Sequence, residues 1–313
     1  MLSRPNAFAN SPLDRAGHRR RDVAWLQDAL QSQAAKLLAF CRMDVFVTDQ
    51  GGATELGWLG GHARAAIAPE HALALLLGLD GAGAPYFAVD MPEPTPLEGV
   101  GRFEQLRPLA AQLSWEELAI VGCAKSIFEW HARNRFCANC GAQSVIAEAG
   151  WRRDCPKCRL EHYPRVDPVA IMVPAYGEKI LLGRQKAWPH GMYSALAGYI
   201  EPGETFEEGA ARETLEEAGL KVRSVRLHSN QPWPFPYSLM IGVICEVEND
   251  QEKIDTGELE SGRWFTREEA RQLIAGNHPD CFCPPKYALG HQGFTGRAEL
   301  GMEEAEETRR WGY

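Results

Sequence analysis

The stretch from Gly198 to Leu220 constrains the fold of this chain more than any other part of the sequence. Within it Pro202-Gly203 predicts a turn, and Thr205 is a residue that can cap the start of a helix. Gly219 can end that helix in the left-handed conformation that helix C-termini favour. The stretch therefore predicts a turn followed by a helix of about three and a half turns, defined at both ends.

Three carboxylates share one face of this predicted helix. Glu213, Glu216 and Glu217 are related as i, i+3 and i+4, so they project to the same side. The opposite face, which we expect to pack on a sheet, carries Ala211, Leu215 and Ala218. A solvated acidic helix is the alternative, but such a helix usually has interspersed lysines, and here only Arg212 intervenes. Carboxylates this close repel unless a cation lies between them, and an all-oxygen ligand set favours Mg²⁺ or Mn²⁺.

The same stretch resembles the Nudix box, Gly-x5-Glu-x7-Arg-Glu-U-x-Glu-Glu-x-Gly-U, in which U is aliphatic. The fixed positions that match are Gly198, Glu204, Arg212, Glu213, Glu216, Glu217 and Gly219. Thr214, at the first U position, is the one departure. The resemblance implies an α/β/α sandwich that hydrolyses a nucleoside diphosphate linked to a further group.

By that resemblance the residues of the box divide into two groups. Glu213, Glu216 and Glu217 would be the catalytic, metal-binding carboxylates, and the backbone carbonyl of Ala197 would be a further ligand. The positions that would brace the loop and the helix are Gly198, Glu204, Arg212 and Gly219. Metal ions would neutralise the phosphate charge and orient the attacking water.

Four of the nine cysteines form two Cys-x2-Cys pairs, Cys137/Cys140 and Cys155/Cys158, separated by 14 residues. This spacing is typical of a zinc ribbon, in which two knuckles complete one tetrahedral site. Four sulfur ligands leave no position for water or substrate, so we expect one structural Zn²⁺ per chain. Two disulfides or four unrelated thiols remain the alternatives. Zinc ribbons also occur in proteins that bind nucleic acids, so the ribbon alone does not define a function.

An unusual aromatic segment follows the carboxylate helix. Gln231-Pro232-Trp233-Pro234-Phe235-Pro236-Tyr237-Ser238 alternates three prolines with three aromatic residues. Proline fixes φ, so we expect a stiff, extended segment whose aromatic side chains lie on one side if it is a β-strand. Such a surface can stack a flat heterocycle, whereas an edge strand that packs its aromatics into the core is the alternative.

Three features in this order resemble the NADH pyrophosphatase family of Nudix hydrolases. They are the four-cysteine ribbon, the entry Tyr163-Pro164-Arg165-Val166-Asp167-Pro168, and the signature SQPWPFPxS, in which Asn230 replaces the leading Ser. The resemblance implies hydrolysis of NADH or NAD⁺ to NMNH or NMN and AMP, and removal of NAD caps from RNA. It implies substrate contacts from Tyr163, Gln231, Pro232, Trp233, Pro234, Phe235, Pro236, Tyr237 and Ser238, with Glu258 as a further metal ligand. It also implies a homodimer.

The predicted organisation has four parts. Residues 1–130 form an N-terminal mixed α/β domain, strand-rich, with a helix at about 114–134 and a short helix over 69–79. Residues 131–165 form the zinc ribbon, residues 166–290 the Nudix domain, and residues 291–313 a tail of uncertain structure. Past Pro285 the chain has Gly290, Gly293 and Gly296, so substrate contacts from the tail are not predicted.

Composition limits the class of partner. The net charge of −9 argues against a protein that coats nucleic acid through bulk positive charge. The most apolar stretch, 72–79, is far too short for the roughly 20 residues that span a bilayer, so we expect no membrane partner and a cytoplasmic location. Residues 1–22 contain a basic cluster but no apolar core of a secretory signal, and we expect them to be a frayed, solvated terminus. Nudix enzymes for ADP-ribose or another nucleoside diphosphate derivative, and a zinc-ribbon nucleic-acid-binding module, remain as alternatives.

Overall fold

The computed structural model describes residues 6–67 and 72–291. These residues form two compact units. The C-terminal unit contains residues 167–231 and 239–291 together with Asn6, and the N-terminal unit contains residues 7–166 and 232–238. No helix in the described part of the chain is both long enough and apolar enough to cross a membrane.

The described residues form many short strands and a smaller number of helices. The helices are α1 (Val23–Gln31), α2 (Arg64–Ile67), α3 (Leu106–Leu109), α4 (Trp115–Arg133), α5 (Phe206–Ala218) and α6 (Arg267–Ala275). The strands of the N-terminal unit are β1 (Lys36–Cys41), β2 (Asp44–Gln50), β3 (Ala53–Leu56), β4 (Trp58–Gly60), β5 (Ala74–Leu79), β6 (Pro85–Met91), β7 (Arg102–Glu104), β8 (Val145–Ala147), β9 (Arg152–Asp154) and β10 (Glu161–His162). The remaining strands are β11 (Asp167–Tyr176), β12 (Lys179–Arg184), β13 (Leu196–Tyr199), β14 (Val222–Trp233), β15 (Ser238–Val247) and β16 (Ser261–Thr266).

The C-terminal unit is an α/β/α sandwich, as the sequence predicts. Its sheet has the order β14-β15-β11-β12-β16, and β13 pairs with β11. Alternate residues of β11 enter two different cores: Val169, Ile171 and Val173 pack with residues of α6, whereas Ala170 and Met172 pack with residues of α5. Since successive side chains of a strand point to opposite faces, the two helices cover opposite faces of this sheet.

The N-terminal unit contains a seven-stranded mixed sheet with the central order β3-β2-β1-β6-β5. Strand β1 also alternates, since Leu37 and Ala39 join the core next to α1, while the ring of Phe40 contacts that of Phe128 on α4 at 5.0 Å. Helix α4 begins with a capping box between Ser114 and Glu117, at the start that the sequence predicts. The fold class expected for the first 130 residues, mixed α/β, is therefore confirmed.

The cysteine-rich segment forms a separate three-stranded sheet of order β10-β9-β8. Its strands are only two or three residues long, which is too short for a hydrophobic core of ordinary size. Stability of this segment must therefore come from cross-links and from packing on its neighbours.

Two predictions about the first 80 residues are wrong. The predicted frayed terminus is ordered from Asn6 onwards: Ala7, Phe8 and Leu13 are buried, and the backbone of Asp14 exchanges two hydrogen bonds with Leu79. The helix predicted over 69–79 is strand β5 from Ala74 onwards, while 68–71 lie outside the described residues. A short apolar run has no clear period, and here the pairing of β5 with β6 decides its structure.

Candidate active site

Helix α5 has the caps that the sequence predicts. Thr205 accepts a hydrogen bond from the amide of Glu208, whose carboxylate accepts one from the amide of Thr205, completing a capping box. Gly219 ends the helix at φ 67°, in the left-handed region. Both ends of α5 are thus determined locally, which fixes the direction in which its glutamates point.

The buried face of α5 differs from the predicted one. Leu215, which was expected to pack on the sheet, is 48% exposed. The residues that the helix buries are Gly209, Ala210, Thr214, Glu217 and Ala218. The packed face is rotated towards the carboxylates, so Thr214 at the first aliphatic position of the box is fully buried and Glu217 lies at the edge of the core.

Three carboxylates converge beside this face. Oxygen atoms of Glu213, Glu217 and Glu258 all lie within 4.8 Å of one another. Glu217 is 3% exposed, and burial together with the charges of Glu213 and Glu258 raises its pKa to about 8. A buried acid surrounded by other acids is favourable as an anion only if a cation joins it, so these residues fit a hard divalent ion.

Glu258 reaches the cluster through a loop that is tied to α5. The amide of Asp255 donates to the carbonyl of Glu217 at 2.9 Å, and the amide of Glu258 donates to the carbonyl of Asp255 at 3.2 Å. Ala197 lies on β13 and hydrogen-bonds to Glu217 through its backbone. Glu216, in contrast, is outside the cluster: its side chain is 58% exposed and pairs with Arg212 at 3.2 Å.

Arg212 is shared by several groups of the box. Its guanidinium makes two bonds to Glu204, of 2.7 and 3.0 Å, and one of 2.9 Å to the carbonyl of Tyr199. It also bonds Glu213 at 2.9 Å. The pairing with Arg212 lowers the pKa of Glu204 to about 2. Arg212 therefore connects the loop before α5 to the cluster and orients Glu213.

Gly198 is required by close approach rather than by its backbone conformation. A Cβ at this position would overlap the carboxylate of Glu213. Strand β13 pairs with β11 at Ala170↔Gly198, so the backbone cannot shift without breaking the sheet. The glycine leaves the space that the side chain of Glu213 fills.

A cavity of about 140 Å³ opens next to the cluster. Glu217, Glu258 and Ala197 line it together with Gln185 and Trp188. Apolar residues complete the walls, among them Ile171, Leu196 and Leu259. A partly apolar cavity beside carboxylates that could hold a metal ion makes this region the candidate catalytic site.

The four ribbon cysteines come together in the N-terminal unit. The sulfur atoms of Cys137 and Cys158 are 3.6 Å apart, and those of Cys140 and Cys155 are 3.5 Å apart. Tetrahedral Zn²⁺ with Zn–S bonds of about 2.3 Å requires sulfur atoms about 3.8 Å apart. The cysteines therefore fit a structural zinc ion, and none of the nine forms a disulfide.

The aromatic segment is extended only up to Trp233, where β14 ends. Residues 234–237 form a turn that leads into β15, so the prediction of a stiff, extended segment is wrong for them. Antiparallel neighbours need a chain reversal, and proline-rich sequence supplies it. The rings of Trp233 and Phe235 are half-buried and 5.1 Å apart, and both contact the edge of Phe8.

Other residues predicted to contact substrate occupy varied environments. Gln231 is fully buried and bonds the backbone of Tyr287 and Leu289 at 2.7 and 2.8 Å. Tyr237 and Ser238 are buried, whereas Tyr163 is 56% exposed and donates to Glu161. The segment 232–238 also carries neighbours that no motif indicates: the Arg107 guanidinium is 4.6 Å from the ring centre of Phe235, and the Lys125 ammonium is 5.4 Å from it.

Comparison with known proteins identifies each segment. The NUDIX domain family matches residues 166–282. Residues 166–282 form a NUDIX domain. Two further families match the rest: the NADH pyrophosphatase zinc ribbon domain at residues 132–163, and the NADH pyrophosphatase-like rudimentary NUDIX domain at residues 34–130. The three matches together extend from residue 34 to residue 282, and the third is one that the sequence motifs did not reveal.

Curated relatives share part of this chain. The NAD-capped RNA hydrolase NUDT12 of Homo sapiens is 44% identical over 59% of this chain and 42% of its own length. The mitochondrial NAD(P)H pyrophosphatase NUDT13 of Homo sapiens is 36% identical over 70% of this chain and 65% of its own. The NAD-capped RNA hydrolase NudC of Mycobacterium bovis is 42% identical over 54% of this chain and 55% of its own length. This chain thus spans between 42% and 65% of the length of these three relatives.

Proposed function

We propose that this Nudix protein hydrolyses the pyrophosphate bond of NADH or NAD⁺, releasing NMNH or NMN together with AMP. One observation carries the proposal: Glu213 and the buried Glu217, both on the helix of the Nudix box, form a carboxylate cluster with the exposed Glu258 beside a cavity. The dinucleotide as substrate is supported by the two NADH pyrophosphatase domain families that match the rest of the chain.

Each residue of the cluster has a proposed role. Glu213, Glu217 and Glu258 would hold Mg²⁺ or Mn²⁺, with the carbonyl of Ala197 as a further ligand. The bound ion supplies charge neutralisation at the pyrophosphate and lowers the pKa of its water. We propose Glu213, Glu216 and Glu217 as the catalytic carboxylates and assign none of them as the general base. Glu216 lies outside the cluster, so its part in the proposal rests on the family resemblance. Arg212 orients Glu213 while Glu204 anchors Arg212.

The substrate's bases would bind the aromatic residues of the predicted signature. We propose Trp233, Phe235 and Tyr163 as the side chains that contact a base, because their rings are only partly buried. Contacts from Gln231, Pro232, Pro234, Pro236, Tyr237 and Ser238 remain part of this proposal. Of these, Gln231 would act by holding the end of β14 in place, since its amide is occupied by backbone groups.

Removal of NAD caps from RNA is a second proposed activity. It is supported by the names of the relatives from Homo sapiens and Mycobacterium bovis. The cleaved bond is the same in both substrates, so the same carboxylates would serve. We further propose a homodimer and a cytoplasmic location, which the family resemblance favours.

A comparison of substrates tests the proposal. The purified protein is incubated with Mg²⁺ and, separately, with NADH, NAD⁺, NAD-capped RNA and ADP-ribose, and kcat/KM is measured for each. We expect kcat/KM for NADH or NAD⁺ to exceed that for ADP-ribose by about 100-fold, which corresponds to about 2.7 kcal/mol of transition-state discrimination. Rapid cleavage of ADP-ribose with no turnover of NADH or NAD⁺ would instead assign the protein to the first alternative. Binding of RNA without any hydrolysis would favour a nucleic-acid-binding module.

A further inference from the structure

Arg184, the last residue of β12, bonds to two loops at once. Its side chain is only 10% exposed, and its Nε lies 2.6 Å from the Glu260 carboxylate. Its two terminal nitrogens donate to the carbonyls of Trp188 and Pro189, the first at 3.0 Å. Its own carbonyl accepts from the amide of Glu260 at 2.8 Å. One guanidinium thus connects the segment after β12 to the segment before β16.

These two segments border the same cavity. Gln185 and Trp188 come from the first, Glu258 and Leu259 come from the second, and Glu217 also lines the cavity. In the first segment, the residues from 185 to 190 are exposed except for the half-buried Trp188. The bonds from Arg184 to its carbonyls restrain that segment, together with backbone bonds from Trp188 to Gln185 and from Met192 to Pro189. The same guanidinium restrains Glu260, two residues beyond the metal-binding Glu258.

The presence of an arginine at position 184 also indicates that this side chain positions the two segments. Burying a guanidinium is costly unless its donors are satisfied, and an apolar side chain of similar size often stabilises a fold as well or better. A planar guanidinium can bond to a carboxylate and two carbonyls in fixed directions, which a lysine ammonium cannot do. The guanidinium of Arg184 uses these directions to bond to both segments that border the cavity.

We propose that Arg184 is a positioning residue for the hydrolysis. It holds Trp188 as a wall of the cavity against the group attached to the reacting phosphate, and it holds Glu258 within reach of the metal. This inference rests on the proposed function for its substrate part, while its metal part depends only on the carboxylate cluster.

The test uses the full chain carrying Arg184→Met, Arg184→Lys or Glu260→Gln. Mn²⁺ affinity is measured by titration without substrate, and kcat and KM are measured with NADH. For R184M we expect Mn²⁺ affinity to fall about tenfold or more, as for other groups that orient metal ligands, and KM for NADH to rise by a similar factor. R184K should recover little of the lost Mn²⁺ affinity, because lysine keeps the positive charge but not the planar guanidinium. E260Q should weaken Mn²⁺ binding with a smaller change in KM, because the carbonyl bonds to the Trp188 segment remain.

Arg267→Met is the matched control. Arg267 pairs with Glu178 at 2.9 Å, and it follows the other end of the β12–β16 pair, where Lys179 is opposite Thr266. R267M should leave Mn²⁺ affinity and KM unchanged.

A folded R184M with wild-type Mn²⁺ affinity and KM would overturn the inference and leave Arg184 a structural role. If R184M does not fold, wild-type Mn²⁺ affinity in E260Q overturns it. If the wild type does not turn over NADH, the proposed function fails, and the Mn²⁺ titrations still decide the role of Arg184 at the metal.

Discussion

Replacing Glu217 with Gln is expected to lower turnover about 10³-fold or more while the fold stays intact. Gln has nearly the same shape, so the buried face of α5 keeps its packing, but its amide cannot replace the carboxylate at the cation. A loss of 10³-fold corresponds to about 4 kcal/mol of transition-state stabilisation. Steady-state rates with NADH and saturating Mg²⁺, together with melting curves of both proteins, measure the effect.

The raised pKa of Glu217 adds a pH dependence to this prediction. With a pKa of about 8 against a usual value of 4.5, the metal-free protein keeps this group protonated up to that pH. A divalent ion must displace the proton, so Mn²⁺ affinity should rise about tenfold per pH unit from pH 6 to 8 and then level off. Between pH 4.5 and 8 the folded state binds more protons than the unfolded state, so metal-free stability should fall as pH rises through this window. Glu217→Gln should remove both trends.

Glu207→Gln is the control for this substitution. Glu207 lies in the first turn of the same helix and is exposed, so its replacement should change turnover by less than about twofold. Turnover near the wild-type rate in Glu217→Gln, in a protein that still binds Mn²⁺ with the same pH dependence, would remove Glu217 from the metal site.

Removing zinc is expected to unfold the cysteine-rich segment and to lower the melting temperature by roughly 10 °C or more. Strands β8, β9 and β10 are too short to hold this segment together without the ion. The loss should spread within the N-terminal unit, because the segment is bonded to it: the indole of Trp151 donates to the carbonyl of Leu76 at 2.8 Å, and Arg21 pairs with Glu148 at 2.7 Å. Melting curves with and without a strong chelator, read alongside the zinc content, measure it.

A pair of cysteine substitutions makes this test specific. Cys158→Ser removes a sulfur from the cluster and should reproduce the effect of the chelator. Cys123→Ser alters a half-buried cysteine outside the cluster and should not. An unchanged melting curve after complete loss of zinc would show that the cysteines are not a stabilising metal site.

Features with short-range patterns were predicted well. The start of α4 and both caps of α5 depend on residues a few positions apart, whose geometry the backbone fixes locally. The rotation of α5 was not predictable in the same way. Which side of a helix is buried depends on where the sheet lies, and this sheet covers Thr214 and Glu217 rather than Leu215.

Features that depend on distant partners were missed. Nothing near residues 6–22 indicates that Asp14 pairs with Leu79 or that Arg20 stacks on Trp151, so this terminus appeared frayed. The sequence of residues 1–130 contains no second stretch like the Nudix box, so no motif predicted the match of residues 34–130 to a rudimentary NUDIX domain. Arg184 belongs to no pattern at all, since its partners Trp188 and Glu260 lie on two different segments.

The most direct test of the proposed chemistry is to identify the products of NADH after incubation with the protein and Mg²⁺. Hydrolysis at the pyrophosphate predicts AMP and NMNH in equal amounts, formed at the same rate, and neither product when Mg²⁺ is withheld or Glu217 is replaced by Gln. Release of the nicotinamide base with formation of ADP-ribose, or no consumption of NADH or NAD⁺ by metal-loaded protein, would contradict it.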